Sequence, residues 1–255
     1  MKFKGRSYYI RKAHRYLGVF IGIQFVLWTL GGLYFSWTVL DEIHGDHLRH
    51  ETSMPEAARF TFPPHRAIDE HASGEPADLT KFRMISVMGD PYYSIVYGKG
   101  SSARTVMIDA VNGSARGPIT EDEAKRIASG AMRDEADIVA AELVTKEGMS
   151  GHHEYREKPL PAWAITFKHP ENVTAYVGAN DGQVHAVRTN NWRAFDFLWM
   201  LHTMDFSGRD NINNYLLRTF SILGIVTVLS GFLLFFISSK TIRKVRFRFR
   251  DPAKR

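Results

Sequence analysis

Cysteine is absent from the 255 residues. Disulfides, cysteine-ligated iron–sulfur clusters, thioether-bound haem and thiol catalysis are thereby excluded. A redox centre in this chain would have to be held by histidine or methionine. Absent too are a phosphate-binding P-loop, a dinucleotide glycine cluster, a G-x-S-x-G elbow and an H-E-x-x-H pair. Hydrolytic and nucleotide-dependent catalysis are disfavoured, and no catalytic residue is nominated. A third absence is local. Residues 16–40 (YLGVFIGIQFVLWTLGGLYFSWTVL) carry no charge, and neither do residues 219–238 (TFSILGIVTVLSGFLLFFIS).

The averages hide these two blocks: the hydrophobic share is 44% and the mean hydropathy −0.23, both ordinary for a soluble chain. Crossing a hydrocarbon core takes about 20 apolar residues in a helix rising about 1.5 Å each. Both blocks reach that length. As core helices of a soluble protein they would need a surrounding core that 255 residues can hardly build. The first block is long for a signal sequence, and no small-residue cleavage site ends it.

Charge then predicts an orientation. Residues 1–40 hold six Lys/Arg and no acid, and residues 212–255 hold nine basic residues and only Asp251. The segment between, 41–211, has 18 basic and 26 acidic residues. Basic flanks are retained in the cytoplasm, so both ends are expected inside and the acidic middle outside. The pI near 9.5 reflects these tails. The tail KTIRKVRFRFRDPAKR reads as a stop-transfer flank on anionic lipid, not as a nucleic-acid site.

The middle segment reads as one pattern written twice. A short helix near 64–72 is followed by strands near 82–87, 92–97 and 105–108 and the turn Asn112-Gly113. A second helix, opened by the capping box Thr120-x-x-Glu123, precedes strands near 140–144, 162–167 and 174–177 and the turn Asp181-Gly182. PYYSIVY (91–97) and PAWAITF (161–167) hold equivalent places. Trp192 to Phe206 reads as an aromatic interfacial helix leading into the second span. The expected organisation is a basic N-terminus (1–15), a first span (16–40), a juxtamembrane segment (41–59), a first unit (60–118) and a second unit (119–190). An interfacial helix and turn (191–213), a second span (214–238) and a basic tail (239–255) complete it.

RKAHRYLGVFIG (11–22) continuing to Gly31-Gly32, and FLWMLHTMDF (197–206) followed by a span containing Leu229-Ser230-Gly231, carry a resemblance to the PepSY-associated transmembrane proteins. It covers nearly the whole chain. The resemblance implies an α+β membrane protein: two transmembrane helices flanking a periplasmic domain of two tandem PepSY-like units, each a helix on a small antiparallel sheet. It also implies a bacterial inner membrane and an association with iron uptake. Larger four-span relatives resemble haem b-containing reductases that release iron from siderophores. With two spans, this chain would need to dimerise or borrow helices to enclose a haem.

Eleven histidines are present. His14 opens the first span and, on a helical wheel, shares a face with Gly18, Phe25 and Gly32, with Gly22 near its edge. A haem ligand backed by small residues, plain helix packing, and a snorkelling histidine beside Arg11 and Arg15 all fit. His44 and His47 follow the first span and His202 precedes the second. One of the former pair could meet His202 as axial ligands at the outer surface. His44-x-x-His47 could instead hold a divalent metal with Asp41 or Asp46, or be interfacial polarity. On one continuous helix His14 and His44 would lie roughly 45 Å apart, hence in separate sites. His152-His153 falls in a Gly/Pro-bounded loop expected to be mobile. Arg218 could pair with Asp205 or Asp210, or bind a propionate or lipid phosphate.

Two functions from different classes are therefore expected. The first is a b-type haem electron-transfer component using His14, His44, His47 and His202, of ferric- or siderophore-reductase type, with electrons from a separate donor. The second is a non-enzymatic accessory or assembly subunit of a larger complex or homodimer. A periplasmic protease regulator, suggested only by PepSY resemblance to propeptides, ranks last.

Overall fold

A computed structural model describes residues 6–50, 53–71, 79–100 and 103–239. The expected basic ends at residues 1–5 and 240–255, and residue 72 of the first expected helix, lie outside them. Two compact units result: residues 1–37 with 196–255, and residues 38–195.

The first unit contains α1 (Arg6–Trp37) and α6 (Tyr215–Ser238). Stretches of 30 residues (Tyr8–Trp37) and 24 residues (Tyr215–Ser238) are long and apolar enough to cross a membrane. Only 11% and 6% of their most apolar stretches are buried, which is the reverse of a core helix. α1 starts before the expected residue 16 and stops at Trp37, short of residue 40. α6 is capped by Asn214, whose side chain accepts from the Leu217 amide.

His14 and Phe25 of α1 meet α6, and Ile21, Gln24 and Trp28 line a cavity together with it, so that His14, Ile21 and Trp28, seven residues apart, mark one face. On α6 the recesses are Gly224, against Phe25, and Gly231, against His14, again seven apart. A seven-residue repeat is the seam of antiparallel helices packed at a shallow angle. The expected glycine face of α1 is different: Gly18, Gly22 and Gly32 have nothing within 4 Å of where a side chain would begin. Both spans are apolar all round, so α1's own sequence could not select the paired face. The glycines of α6 select it.

The second unit begins with a short helix α2 (Leu40–His44), ended by Gly45 at φ 74°. A Cβ at Gly45 would also lie 2.9 Å from Val187, so both backbone and space require glycine. The following chain is tied down by His50 N–H to Ala131 O (2.9 Å) and Arg133 N–H to Leu48 O (2.9 Å).

Two four-stranded antiparallel meanders follow, β1-β2-β3-β4 and β5-β6-β7-β8. The first is α3 (Pro64–His71), β1 (Leu79–Val87), β2 (Asp90–Tyr97), β3 (Arg104–Asp109) and β4 (Ala115–Arg116). The second is α4 (Glu121–Ala131), β5 (Ile138–Val144), β6 (Ala162–Phe167), β7 (Thr174–Gly178) and β8 (Val184–Arg188). Each sheet has one strand more than the three expected. The turns Asn112-Gly113 and Asp181-Gly182 are hairpin turns, and the chain pairs back after each. The Thr120–Glu123 capping box forms in full. α5 (Asn190–Thr203) closes the series.

Strand alternation sorts the side chains into three clusters. Tyr93, Ile95, Tyr97 and Ile108 face α3, with Ala67, Phe60 and Phe62. Ile85, Val87 and Met107 join Ala124 and Ala128 of α4 and Ile165, Phe167, Ala175, Val177 and Val187 of the second sheet. The remaining face of the second sheet, with Ala162, Tyr176 and Ala186, packs against Tyr155. Residues 148–161, expected as a mobile loop, form that cover through Met149, Tyr155 and Leu160. Tyr155 is fully buried and stacks on Tyr176 at 4.5 Å.

Candidate functional site

His14 lies within the seam of the two spans. Its Nδ1 is 2.7 Å from Ser230 Oγ, and the Ser230 hydroxyl donates to Thr227 O at 2.7 Å. A carbonyl only accepts, and a hydroxyl has one proton. His14 Nδ1–H must therefore donate to Ser230, which leaves the Nε2 lone pair uncommitted. An imidazole fixed at Nδ1 and open at Nε2 is the state in which histidine ligates a metal. Gly231 makes the room: a Cβ there would lie 3.3 Å from His14 Cε1.

His202, on the last turn of α5, sits among aromatic rings of its own unit. It stacks on Trp199 (6.1 Å, 15°) and lies 5.8 Å from both Trp28 and Phe35. Among the described residues its buried Nδ1 has no hydrogen-bond partner, and neither has the buried Nε1 of Trp28. Trp28 also lines a cavity of about 360 Å³ along the two spans, with Ile21, Gln24, Phe25, Phe220, Ser221, Gly224 and Leu229 among its walls. The cavity is apolar except for Gln24, Ser221 and the indole N–H. Neither Trp28 nor Gln24 stood out in the sequence, where an aromatic and an amide inside an apolar run carry no periodic signal.

His14 and His202 are not brought together. His14 pairs with Ser230, while His202 lies against Trp28, fourteen residues further along α1, or roughly 21 Å. In the other unit, His44 is exposed at the end of α2, and Gly45 in the left-handed conformation separates it from His47. The two do not share a helix face. α1 ends at Trp37, so His44 does not continue it. His47 Nε2 lies 3.9 Å from Glu171 Oε1. Among the described residues no group of three His, Cys, Asp or Glu side chains could hold a metal ion.

Arg218 donates to Asn213 Oδ1 at 3.2 Å rather than to an aspartate. Asp205 instead ties the turn before α6, accepting from the amides of Asn211, Gly208 and Ser207. The Asn211 amide, then those of Gly208 and Ser207, hold its carboxyl down to about 2. Asp210 accepts from Trp199 Nε1 (3.1 Å), and Arg209 pairs with the buried Asp196.

Fold and seam together define a membrane protein in which two long apolar helices bracket an α+β domain. The family model described as the PepSY-associated TM region matches residues 11–255, and the chain belongs to that family. Comparison with curated proteins and with solved structures gave no significant match.

Proposed function

We propose that this chain is an assembly subunit of the bacterial inner membrane, whose two spans are completed by helices of a second copy or of another protein. The observation that carries this reading is the seam cavity. It leaves the Trp28 N–H buried and, among the described residues, unpaired, in a cavity that Gln24 also lines and in a segment where lipid offers no hydrogen-bond acceptor. The open face of Gly18, Gly22 and Gly32 offers a further helix close approach. The two units of 60–118 and 119–190 are tandem PepSY units on the periplasmic side, with α5 at the membrane surface and both termini in the cytoplasm.

Blue native electrophoresis and in-membrane cross-linking of the full chain test it. The intact chain migrates as a complex, and Gln24→Leu or Gly18→Leu/Gly22→Leu shifts it toward the monomer. A wild-type chain that is monomeric in membranes and in mild detergent overturns the assembly reading. Protease added to sealed spheroplasts checks the orientation, with cleavage expected between residues 41 and 211 and both tails protected.

A second reading, a b-type haem component acting on ferric chelates, is favoured by His14, whose Nδ1 is fixed and whose Nε2 is free to ligate. His14 or His202 fits as a single ligand, and a second would come from another chain, because the spanning unit does not pair the two. Haem held there would supply one-electron transfer. A Soret band that shifts on dithionite and weakens in His14→Ala supports it. Colourless protein from haem-replete cells removes it.

A further inference from the structure

Polar side chains of the two spans mostly return their protons to their own helix. Thr29 donates to Phe25 O, Ser221 to Leu217 O and Thr227 to Leu223 O, each at 2.8 Å. Gln24 differs. It is the one carboxamide in either uncharged block, and it makes no hydrogen bond among the described residues. It stands near the middle of the apolar stretch Tyr8–Trp37, where lipid supplies neither donor nor acceptor.

Its position on α1 decides what can answer it. At about 100° per residue, Gln24 lies about 80° round the helix from His14. That is the rim of the seam, where it lines the cavity with Trp28 and Ser221. Leu17, seven residues earlier, falls on the same flank. Ile23 falls on the far side of the helix, about 180° from His14, and is 62% exposed.

A carboxamide offers two N–H donors and an acceptor oxygen, so it is its own complement, as a charged group or a lone N–H donor is not. Copies of one chain insert with one orientation. A two-fold axis relating them therefore runs along the membrane normal and brings residue 24 of each to the same depth. There each Gln24 donates one N–H to the other's Oε1 and accepts one in return. Its second N–H is left for Ser221 Oγ, whose own proton goes to Leu217 O. Two chains of two spans also make up the four helices of a bundle.

We infer that the partner on this flank is a second copy of this chain, joined through reciprocal Gln24–Gln24 hydrogen bonds; this rests on the assembly reading above.

Because the chain has no cysteine, cross-linking of single-cysteine variants of the full chain in membranes tests it, with copper–phenanthroline as oxidant. Leu17→Cys is expected to give a covalent dimer, and Ile23→Cys roughly fivefold less. Adding Gln24→Leu to the Leu17→Cys chain lowers the yield roughly fivefold or more, whereas Gln24→Asn, which keeps a carboxamide, retains most of it. Two differently tagged copies, co-expressed, purify together in mild detergent. A chain that migrates as a complex on native gels while its tagged copies fail to co-purify overturns the second copy and leaves the assembly reading standing. A monomer in membranes and on native gels overturns both. Equal cross-linking from Ile23→Cys, or a Leu17→Cys yield unchanged by Gln24→Leu, overturns the Gln24 contact even where the copies co-purify.

Discussion

The two sheets share an order of elements but not a cover. Over the first lies α3, whose Ala67 and Ile68 join Phe60 and Phe62 against Tyr93 and Ile95 in an apolar layer. The Tyr93 and Tyr97 hydroxyls donate to the carbonyls of Phe62 and Ile68, so that cover is closed and satisfied. Over the second lies the irregular segment 148–161, with Tyr155 stacked on Tyr176 and Glu154 bound among arginines. Both sheets keep a helix on one face, α3 on the first and α4 on the second, and the second sheet adds an irregular cover over its other face.

The largest effect that would break this contrast is removal of Tyr155, the fully buried ring of the loop. Tyr155→Ala should cost about 3–5 kcal/mol, measured by thermal unfolding in detergent. Amide exchange should accelerate in β6–β8 and spare β1–β3. Uniform acceleration in both sheets would show that the covers do not act separately.

A smaller effect is expected where the sheets are tied together. Asp181 accepts from Arg83 of the first sheet and His185 of the second, and Gln183 donates to Ser86 O. A Cβ at Gly178 would collide with Asp181 Oδ1 and His185 Nε2, so Gly178→Ala should cost about 1–3 kcal/mol. Burial alone would raise the Asp181 pKa. Hydrogen bonding and charge from His185, the Gln183 amide and Arg83 outweigh burial and hold it below the ordinary carboxylate range. A depressed folded pKa adds stability that is present above about pH 4 and is lost as pH falls through the folded value. Acid unfolding of Asp181→Asn should therefore show a shallower dependence below about pH 4 than the parent chain. An unchanged acid limb would remove Asp181 from that role.

The smallest effect sharpens the likeness of the copies instead. Thr120→Ala removes the cap of α4 and should cost about 1 kcal/mol, read from the same thermal scans. No change would mean that the middle cluster alone holds α4.

The recurring pattern was legible because its signals are local. Thr120 and Glu123 are three residues apart, and each hairpin is announced by Asn-Gly or Asp-Gly, although the strands after those turns, Ala115–Arg116 and Val184–Arg188, were not counted. Tyr155 was unreadable because its partner is Tyr176, and nothing near either names the other. The same holds in the spans. His14 was visible as a candidate, but Ser230, which sets its tautomer, is 216 positions away. Trp28 was one more aromatic in an apolar run until its N–H proved to be buried and, among the described residues, unpaired.

That separation also governs how the protein is made. At about 5–20 residues per second, the chain emerges with roughly 10–40 s between the synthesis of His14 and that of Ser230. For that interval α1 stands in the bilayer without its mate, its imidazole and indole groups open to insertion factors or to an already finished neighbour. Closing the pair is a late event of biogenesis, and a chain stopped before α6 would carry an unanswered helix for quality control to find.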